Sequence, residues 1–155
     1  METHSVRHRV HSRTVAAAAN YSVGDIVSNS ATDTEGTAWQ WENLVESGKA
    51  AELVSAFITA SEDSLTAVYR LHLFSGNPSA SELDDNAALS IVIADQANYI
   101  GTIIFEAMTD KGTVSAATAE TLNFPVGIVC NDNTLYGILE DTSGETAEAA
   151  GMTIA

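Results

Sequence analysis

The chain contains little cysteine, little basic charge and no long apolar run, and each shortage excludes a class of protein. Cysteine occurs once, at Cys130, so no disulfide can form within the chain. That cysteine ends an apolar stretch, which favours a buried thiol over a nucleophile. Lysine and arginine number six against 21 acidic residues, for a formal net charge of −15. We therefore expect neither nucleic acid nor an anionic membrane as a partner, because phosphate binding needs basic residues.

Apolar runs and catalytic motifs are also missing. No stretch of about 18 apolar residues occurs, so we expect no transmembrane helix. No apolar segment follows the charged N-terminus, so we expect no secretory signal. The sequence has no G-x-S-x-G nucleophile elbow and no glycine-rich phosphate loop. We predict a protein that is not an enzyme and that uses no cofactor.

The chain does have enough apolar residues, 45% of 155, for one domain with a hydrophobic core. Its basic residues are unevenly placed. Residues 1–13 contain Arg7, Arg9 and Arg13 against a single glutamate, a net charge of +2. Residues 14–155 contain three basic and 20 acidic residues, a net charge of −17. We interpret 1–13 as an extended basic arm, ordered by a partner if it is ordered at all, and 14–155 as a single β-sandwich domain.

Alternation of apolar and polar residues predicts β-strands along most of the domain. In "GTAWQWENLV" Trp39 and Trp41 share one face, and "AELVSAFITAS" and "LTAVYRLHLFSG" each predict one strand in the same way. We interpret His72 as an ordinary strand residue. The segment "ETLNFPVGIVCNDNTLYGILE" predicts a hairpin turning at residues 131–133, because Asn and Asp tolerate positive φ. We predict an all-β fold, a jelly-roll-like antiparallel β-sandwich of about seven or eight strands.

A polar loop after the "LHLF" strand holds Asp84, Asp85 and Asn86. A calcium site is one interpretation, since Glu82, Asp84 and Asn86 alternate as oxygen ligands do. No glycine marks the turn, however, and no glutamate closes the loop. The other interpretation is a turn in which Asp and Asn side chains cap backbone groups where the chain turns. We favour the capping turn and predict no metal.

Two further sets of side chains allow alternative chemistry. His4, His8 and His11 have the spacing of zinc ligands on a helix, but their segment has no helix signals. Trp39 and Trp41 would form a sugar-binding platform if they were exposed. Two tryptophans on one strand face are more often core residues, so we expect them in the core.

Short motifs in order resemble a group of small tailed-bacteriophage virion proteins. These motifs are "YSVGDIVSNS", "LHLFSGNPSASELDDNAALS", "ANYIGTIIF" and "TLYGILE". The resemblance covers roughly residues 21–155, and the basic residues 1–13 lie outside it. The matching positions are Tyr21, Gly24, Asp25, Val27, Leu71, Leu73, Phe74, Pro78, Asp85, Asn86, Ala87, Gly101, Ile103, Phe105, Leu135, Tyr136 and Gly137.

The resemblance implies a non-enzymatic β-sandwich located in the virion. It would bind the major capsid protein on the outer capsid surface, as a decoration or cement protein that stabilises neighbouring capsomers. We expect Arg7, Arg9 and Arg13 to pair with carboxylates of the capsid protein. We also expect a homo-oligomer, with a trimer favoured.

The alternative function comes from another class of protein. The chain would then be a carbohydrate-binding or receptor-facing module of a head fibre or tail. Such a module needs solvent-exposed aromatic rings, for which the candidates are Trp39, Trp41, Tyr69 and Tyr136.

Overall fold

The computed structural model describes residues 7–15, 21–28, 36–44, 46, 49–119, 126–144 and 152–155. These residues form twelve strands and one short helix, α1 (Ile93–Gln96). The strands are β1 (Arg13–Thr14), β2 (Ile26–Val27), β3 (Trp39–Glu42), β4 (Ala50–Leu53), β5 (Phe57–Ala60), β6 (Tyr69–Phe74), β7 (Tyr99–Ile104), β8 (Thr109–Asp110), β9 (Ser115–Thr118), β10 (Val126–Val129), β11 (Thr134–Asp141) and β12 (Thr153–Ile154).

The strands form two larger sheets and a two-stranded ribbon, and all their pairings are antiparallel. The first sheet has the order β1-β12-β5-β9-β8. The second has the order β2-β11-β6-β7, with β3 also paired to β11, and β10 and β4 form the ribbon. The predicted all-β class in a sandwich-like antiparallel arrangement is confirmed, with 42% strand and 3% helix among the described residues.

Strand β11 is the centre of the second sheet. One edge pairs with β6 from Tyr136 to Asp141. The other edge pairs with β3 along its first half and with β2 near its end. Every residue of β11 except Glu140 is buried. A strand buried on both faces needs a near-continuous apolar run, which "TLYGIL" supplies.

The main core lies between the two sheets. Ile58 of β5 and Ala117 of β9 belong to the same buried cluster as Leu71 and Leu73 of β6 and Ile103 of β7. Burying one such large aliphatic side chain stabilises the fold by about 1.5–3 kcal/mol. This cluster holds the sheets face to face, as in a sandwich.

A second, smaller core covers the opposite face of the second sheet. There Phe74, Tyr136 and Ile138 are buried, and Leu83 and Leu89 of the loop after β6 pack against them. That loop therefore forms a partial third layer. It places the acidic residues that follow Leu83 against the sheet rather than in open solvent.

The hairpin predicted around residues 131–133 is wrong. The turn exists, with Asn133 at φ +64°, but the strands on either side of it do not pair with each other. Strand β10 pairs with β4, whereas β11 pairs with β6, β3 and β2. Strand β3 pairs with one edge of β11 from Thr134 to Gly137, and β6 pairs with the other edge from Tyr136 onward.

The predicted number of seven or eight strands is too low. The strands β1, β2, β8 and β12 have two residues each, and such short strands show no alternation in sequence. The segment "AELVSAFITAS" predicts one strand but forms two, β4 and β5. These belong to different parts of the fold, the ribbon and the first sheet.

Candidate functional site

The basic N-terminal residues lie on the body of the same chain. Residues 7–13, called the basic strip below, pass β3 and the turn that follows it. Arg7 donates from Nη1 to the Asn43 carbonyl oxygen at 3.0 Å and from Nη2 to the Glu46 carboxylate at 3.1 Å. The strip is thus positioned by its own domain, which differs from the expectation of an arm that a partner orders.

Arg9 and Arg13 make fewer contacts than Arg7. Arg9 donates from Nε to the Glu42 carbonyl oxygen at 3.3 Å and from Nη1 to the His8 carbonyl oxygen at 3.1 Å. The Nε of Arg13 lies 3.3 Å from Nε2 of His11. None of these partners is a carboxylate, so these contacts leave both charges without a counter-charge.

Aromatic rings anchor the strip between its arginines. The ring of His8 stacks on Phe57, with centroids 5.7 Å apart and planes inclined by 13°. The ring of His11 meets Trp39 and Trp41 edge-on, at centroid distances of 5.6 and 6.4 Å. The strip then enters β1, which pairs with β12. These contacts explain why a polar, basic segment has a fixed place on the domain.

The zinc hypothesis gains no support from this geometry. His4 lies outside the described residues, and the rings of His8 and His11 pack on different aromatic side chains. In the ranges that the structure describes, no three His, Cys, Asp or Glu side chains are grouped so that they could hold a metal ion. The loop that holds Glu82 and Asp84 is among these described ranges, so it too has no such group.

A cavity of about 430 Å³ opens between the basic strip and β3. Two arginines, Arg9 and Arg13, line it together with a single acidic residue, Glu42. The full lining is Arg9, Val10, His11, Arg13, Thr37, Gln40, Trp41 and Glu42. The cavity therefore combines positive charge with an indole ring on an otherwise acidic protein.

Asp85 joins distant parts of the chain from inside the loop after β6. It is only 5% exposed. Its Oδ1 accepts hydrogen bonds from the Tyr21 hydroxyl and from the Ser28 backbone N–H, both at 2.8 Å. The two donors lie 64 and 57 residues away in sequence. The sequence predicts capping of the local turn, whereas these bonds are long-range.

The neighbouring loop residues also bind backbone groups. Asp84 Oδ1 accepts from the Gly36 N–H at 3.0 Å. Asn86 adopts a left-handed conformation, φ +61°, and donates its N–H to the Ile26 carbonyl oxygen at 2.9 Å. Glu82 Oε1 accepts from the next two backbone N–H groups, each at 3.1 Å. The acidic side chains therefore serve as backbone acceptors that hold the third layer in place.

A polar chain across the second sheet has no counterpart in the sequence predictions. His72 Nε2 lies 2.9 Å from Glu140 Oε2, and its Nδ1 lies 3.1 Å from Thr102 Oγ1. The Thr102 hydroxyl in turn contacts the Tyr99 hydroxyl. These residues come from β6, β11 and β7, so only knowledge of the strand pairing could have revealed the chain.

A carboxylate, an imidazole and a hydroxyl in series resemble a nucleophilic triad in outline. Neither the cavity beside the strip nor a smaller cavity of about 200 Å³ at Gly36 is lined by His72, Thr102 or Glu140. His72 itself is 9% exposed. We therefore assign this series of polar side chains a structural role, which is to link neighbouring strands of the second sheet.

Cys130 is fully buried and forms no disulfide. Burial, and secondly the nearby Asp132 carboxylate, raise the pKa of the Cys130 thiol. A raised pKa lowers the thiolate fraction at neutral pH, and the thiolate is the reactive form. The structure thus places this cysteine as the sequence predicts.

The aromatic residues proposed as a sugar platform are largely inside the protein. Trp39 is buried and donates its indole N–H to the Val27 carbonyl oxygen at 2.9 Å. Tyr69 and Tyr136 are buried as well, and Trp41 is half-buried against the main core. These four residues therefore form no exposed platform.

No family model, curated protein or solved structure matches the chain. In the described ranges the helix α1 has four residues, and no helix there could cross a bilayer. The resemblance to phage virion proteins therefore stays an interpretation of short motifs, and the function drawn from it is a proposal.

Proposed function

We propose that the chain is a structural protein of a tailed-bacteriophage virion, which binds the major capsid protein on the outer capsid surface as a decoration or cement protein. One observation supports the binding face above all. Arg7, Arg9 and Arg13 lie together beside β3 and the turn after it. The domain on which they lie, residues 14–155, has a net charge of −17. The short motifs suggest a phage virion as the location. The separation of charge suggests that the surface around the basic strip binds the capsid.

The strip has the mixed chemistry of a protein interface. Val10 is 55% exposed, and Phe57, on which His8 stacks, is 46% exposed. Apolar side chains beside arginines are typical of interfaces between proteins. An exposed ion pair contributes only about 0–1 kcal/mol. Binding at many equivalent positions of a shell raises the total through avidity when copies are linked.

Contacts between copies would supply that link. Two exposed apolar residues lie at opposite ends of the ribbon of β10 and β4: Val54, directly after β4, at 65%, and Val129, the last residue of β10, at 53%. We propose that such apolar surface is buried between copies in a closed homo-oligomer, with three copies favoured. The acidic remainder of the surface would keep decorated particles apart through like-charge repulsion.

The test of this function is particle survival on heating. Capsids prepared without the protein are mixed with the purified chain, and the temperature of disruption is followed by light scattering. We expect a higher disruption temperature than with an equal amount of an unrelated acidic protein. Binding without added heat resistance would contradict a cement role and leave decoration alone. No binding would overturn the proposal and favour a fibre or tail location.

A further inference from the structure

In the part of the chain that the structure describes, two of the three arginines in the basic strip have no carboxylate partner. Arg7 pairs with Glu46, but among the described residues no carboxylate lies within ion-pair distance of Arg9 or Arg13. The hydrogen bonds described above engage Nε and one Nη1 group of Arg9 and Nε of Arg13. A guanidinium group has five N–H donors, so each retains donors for a ligand.

Both of these arginines line the same cavity. Two like charges beside one cavity repel each other, and an anion between them would remove the repulsion and accept charge-assisted hydrogen bonds. The chain has 21 acidic residues and six basic ones, yet among the described residues no carboxylate forms an ion pair with either of these arginines. The cavity is therefore suited to a negative group from another molecule.

The other residues that line the cavity indicate which kind of anion it would bind. Glu42 adds one negative charge to the wall, which opposes a multiply charged anion such as phosphate more than a single carboxylate. Trp41 offers an apolar ring, and Gln40 offers an amide that donates and accepts. A single carboxylate on a short apolar stem fits all of these groups.

We infer that the cavity binds one acidic side chain, aspartate or glutamate, from an extended segment of the capsid protein, clamped between Arg9 and Arg13. This inference rests on the proposed function and names the chemistry of its partner. A cavity of about 430 Å³ has room for such a side chain and part of its backbone. Arg7, already paired with Glu46, positions the strip and does not bind the partner.

The first test compares capsid binding by charge-matched variants. Arg9→Gln and Arg13→Gln each remove one clamp, and Lys111→Gln removes the same charge from an exposed turn. We expect each clamp variant to bind capsids up to about fivefold more weakly per site, because an exposed ion pair contributes about 0–1 kcal/mol. The Lys111 variant should bind as wild type does. Equal binding by all four proteins overturns the clamp and leaves the proposed function intact.

The second test needs no capsid. A pentapeptide with one central glutamate and blocked ends is titrated into the full chain, and the two indole N–H signals are followed by NMR. We expect the signal of Trp41, assigned with Trp41→Phe, to shift saturably and that of Trp39 to shift less. The same peptide with glutamine should cause no shift. An equal response to inorganic phosphate, or no response to the glutamate peptide, would overturn the inference.

The two tests together distinguish failure of the proposed function from failure of the carboxylate site. If wild-type protein does not bind capsids but the glutamate peptide still shifts Trp41, the proposed function is wrong while the carboxylate site stands. The unfolding transition of every variant is measured by circular dichroism, so loss of binding is compared only among folded proteins.

Discussion

The guanidinium group of Arg7 lies 3.1 Å from the carboxylate of Glu46, and this ion pair fastens the basic strip to the acidic domain. The side chains are 34% and 66% exposed. A pair this exposed contributes little to stability and is weakened by salt. Its main effect is positional, because it holds the strip beside β3, where the other two arginines line the cavity.

Removing this pair should loosen the start of the strip, near Arg7, without unfolding the domain. For Glu46→Gln we expect the free energy of unfolding to change by less than about 1 kcal/mol. Trypsin should cleave after Arg7 and Arg9 several-fold faster, because a held segment fits a protease poorly. Cleavage is followed by mass spectrometry, with Glu106→Gln as an exposed control. Equal cleavage rates in the two variants would show that the pair does not hold the strip.

Asp85 should matter far more to stability than its place in a polar loop suggests. Asp85→Ala removes the acceptor of two buried hydrogen bonds, from Tyr21 and Ser28. We expect a loss of about 2–4 kcal/mol in urea unfolding, since each bond to a charged group contributes about 1.5–3 kcal/mol and buried donors are left unpaired. Tyr21→Phe, which removes one bond, should lose less. Asp63→Ala, at an exposed position, should unfold like wild type, and a similar result for Asp85→Ala would refute its role.

The loop after β6 also needs a glycine opposite it. A Cβ added at Gly36 would overlap the Leu83 carbonyl group, which is backbone and cannot turn away. We expect Gly36→Ala to destabilise the fold by about 3 kcal/mol, as overpacking does, and to lower the melting temperature measured by calorimetry. At Gly127 an added Cβ meets nothing within 4 Å, so Gly127→Ala is the matched control. A melting temperature unchanged by both substitutions would contradict this packing.

Stability should fall in alkaline solution. Burial raises the pKa of Cys130 above its usual 9.0, and burial with the hydrogen bond to Asp132 raises the pKa of Tyr136 above its usual 10.0. Above those values the unfolded chain releases protons that the folded chain keeps, so stability is present at lower pH and lost as pH rises. The urea midpoint should therefore drop as the pH rises above about 9, and drop further above about 10. Cys130→Ala should flatten the part of the drop near pH 9, and an identical pH profile would contradict the assignment.

The sequence predicted strands well where apolar and polar residues alternate over several positions. The pattern of "LTAVYRLHLFSG" corresponds to β6, and Leu71 and Leu73 do face the main core. The same reasoning failed for two-residue strands such as β1 and β12, which are too short to show an alternation of apolar and polar residues. Their place is set by pairing with each other and with β5, which no local pattern reveals.

Pairing between distant strands limited the prediction of the site. His72 and Glu140 are 68 residues apart in sequence and meet because β6 and β11 are neighbours. The three arginines were identifiable from charge alone. Their unequal contacts were not, because Glu46 pairs with Arg7 near a turn whose geometry the sequence does not specify. The ring contacts that place the strip likewise depend on where Phe57 and the tryptophans lie in the fold.

The most direct test of the proposed function is co-sedimentation of the purified chain with capsids prepared without it. The account predicts saturable binding at a fixed ratio to the capsid protein, weakened by salt because charges guide it. Binding that never saturates, or no protein in the capsid pellet at low salt, would contradict attachment to the outer capsid surface.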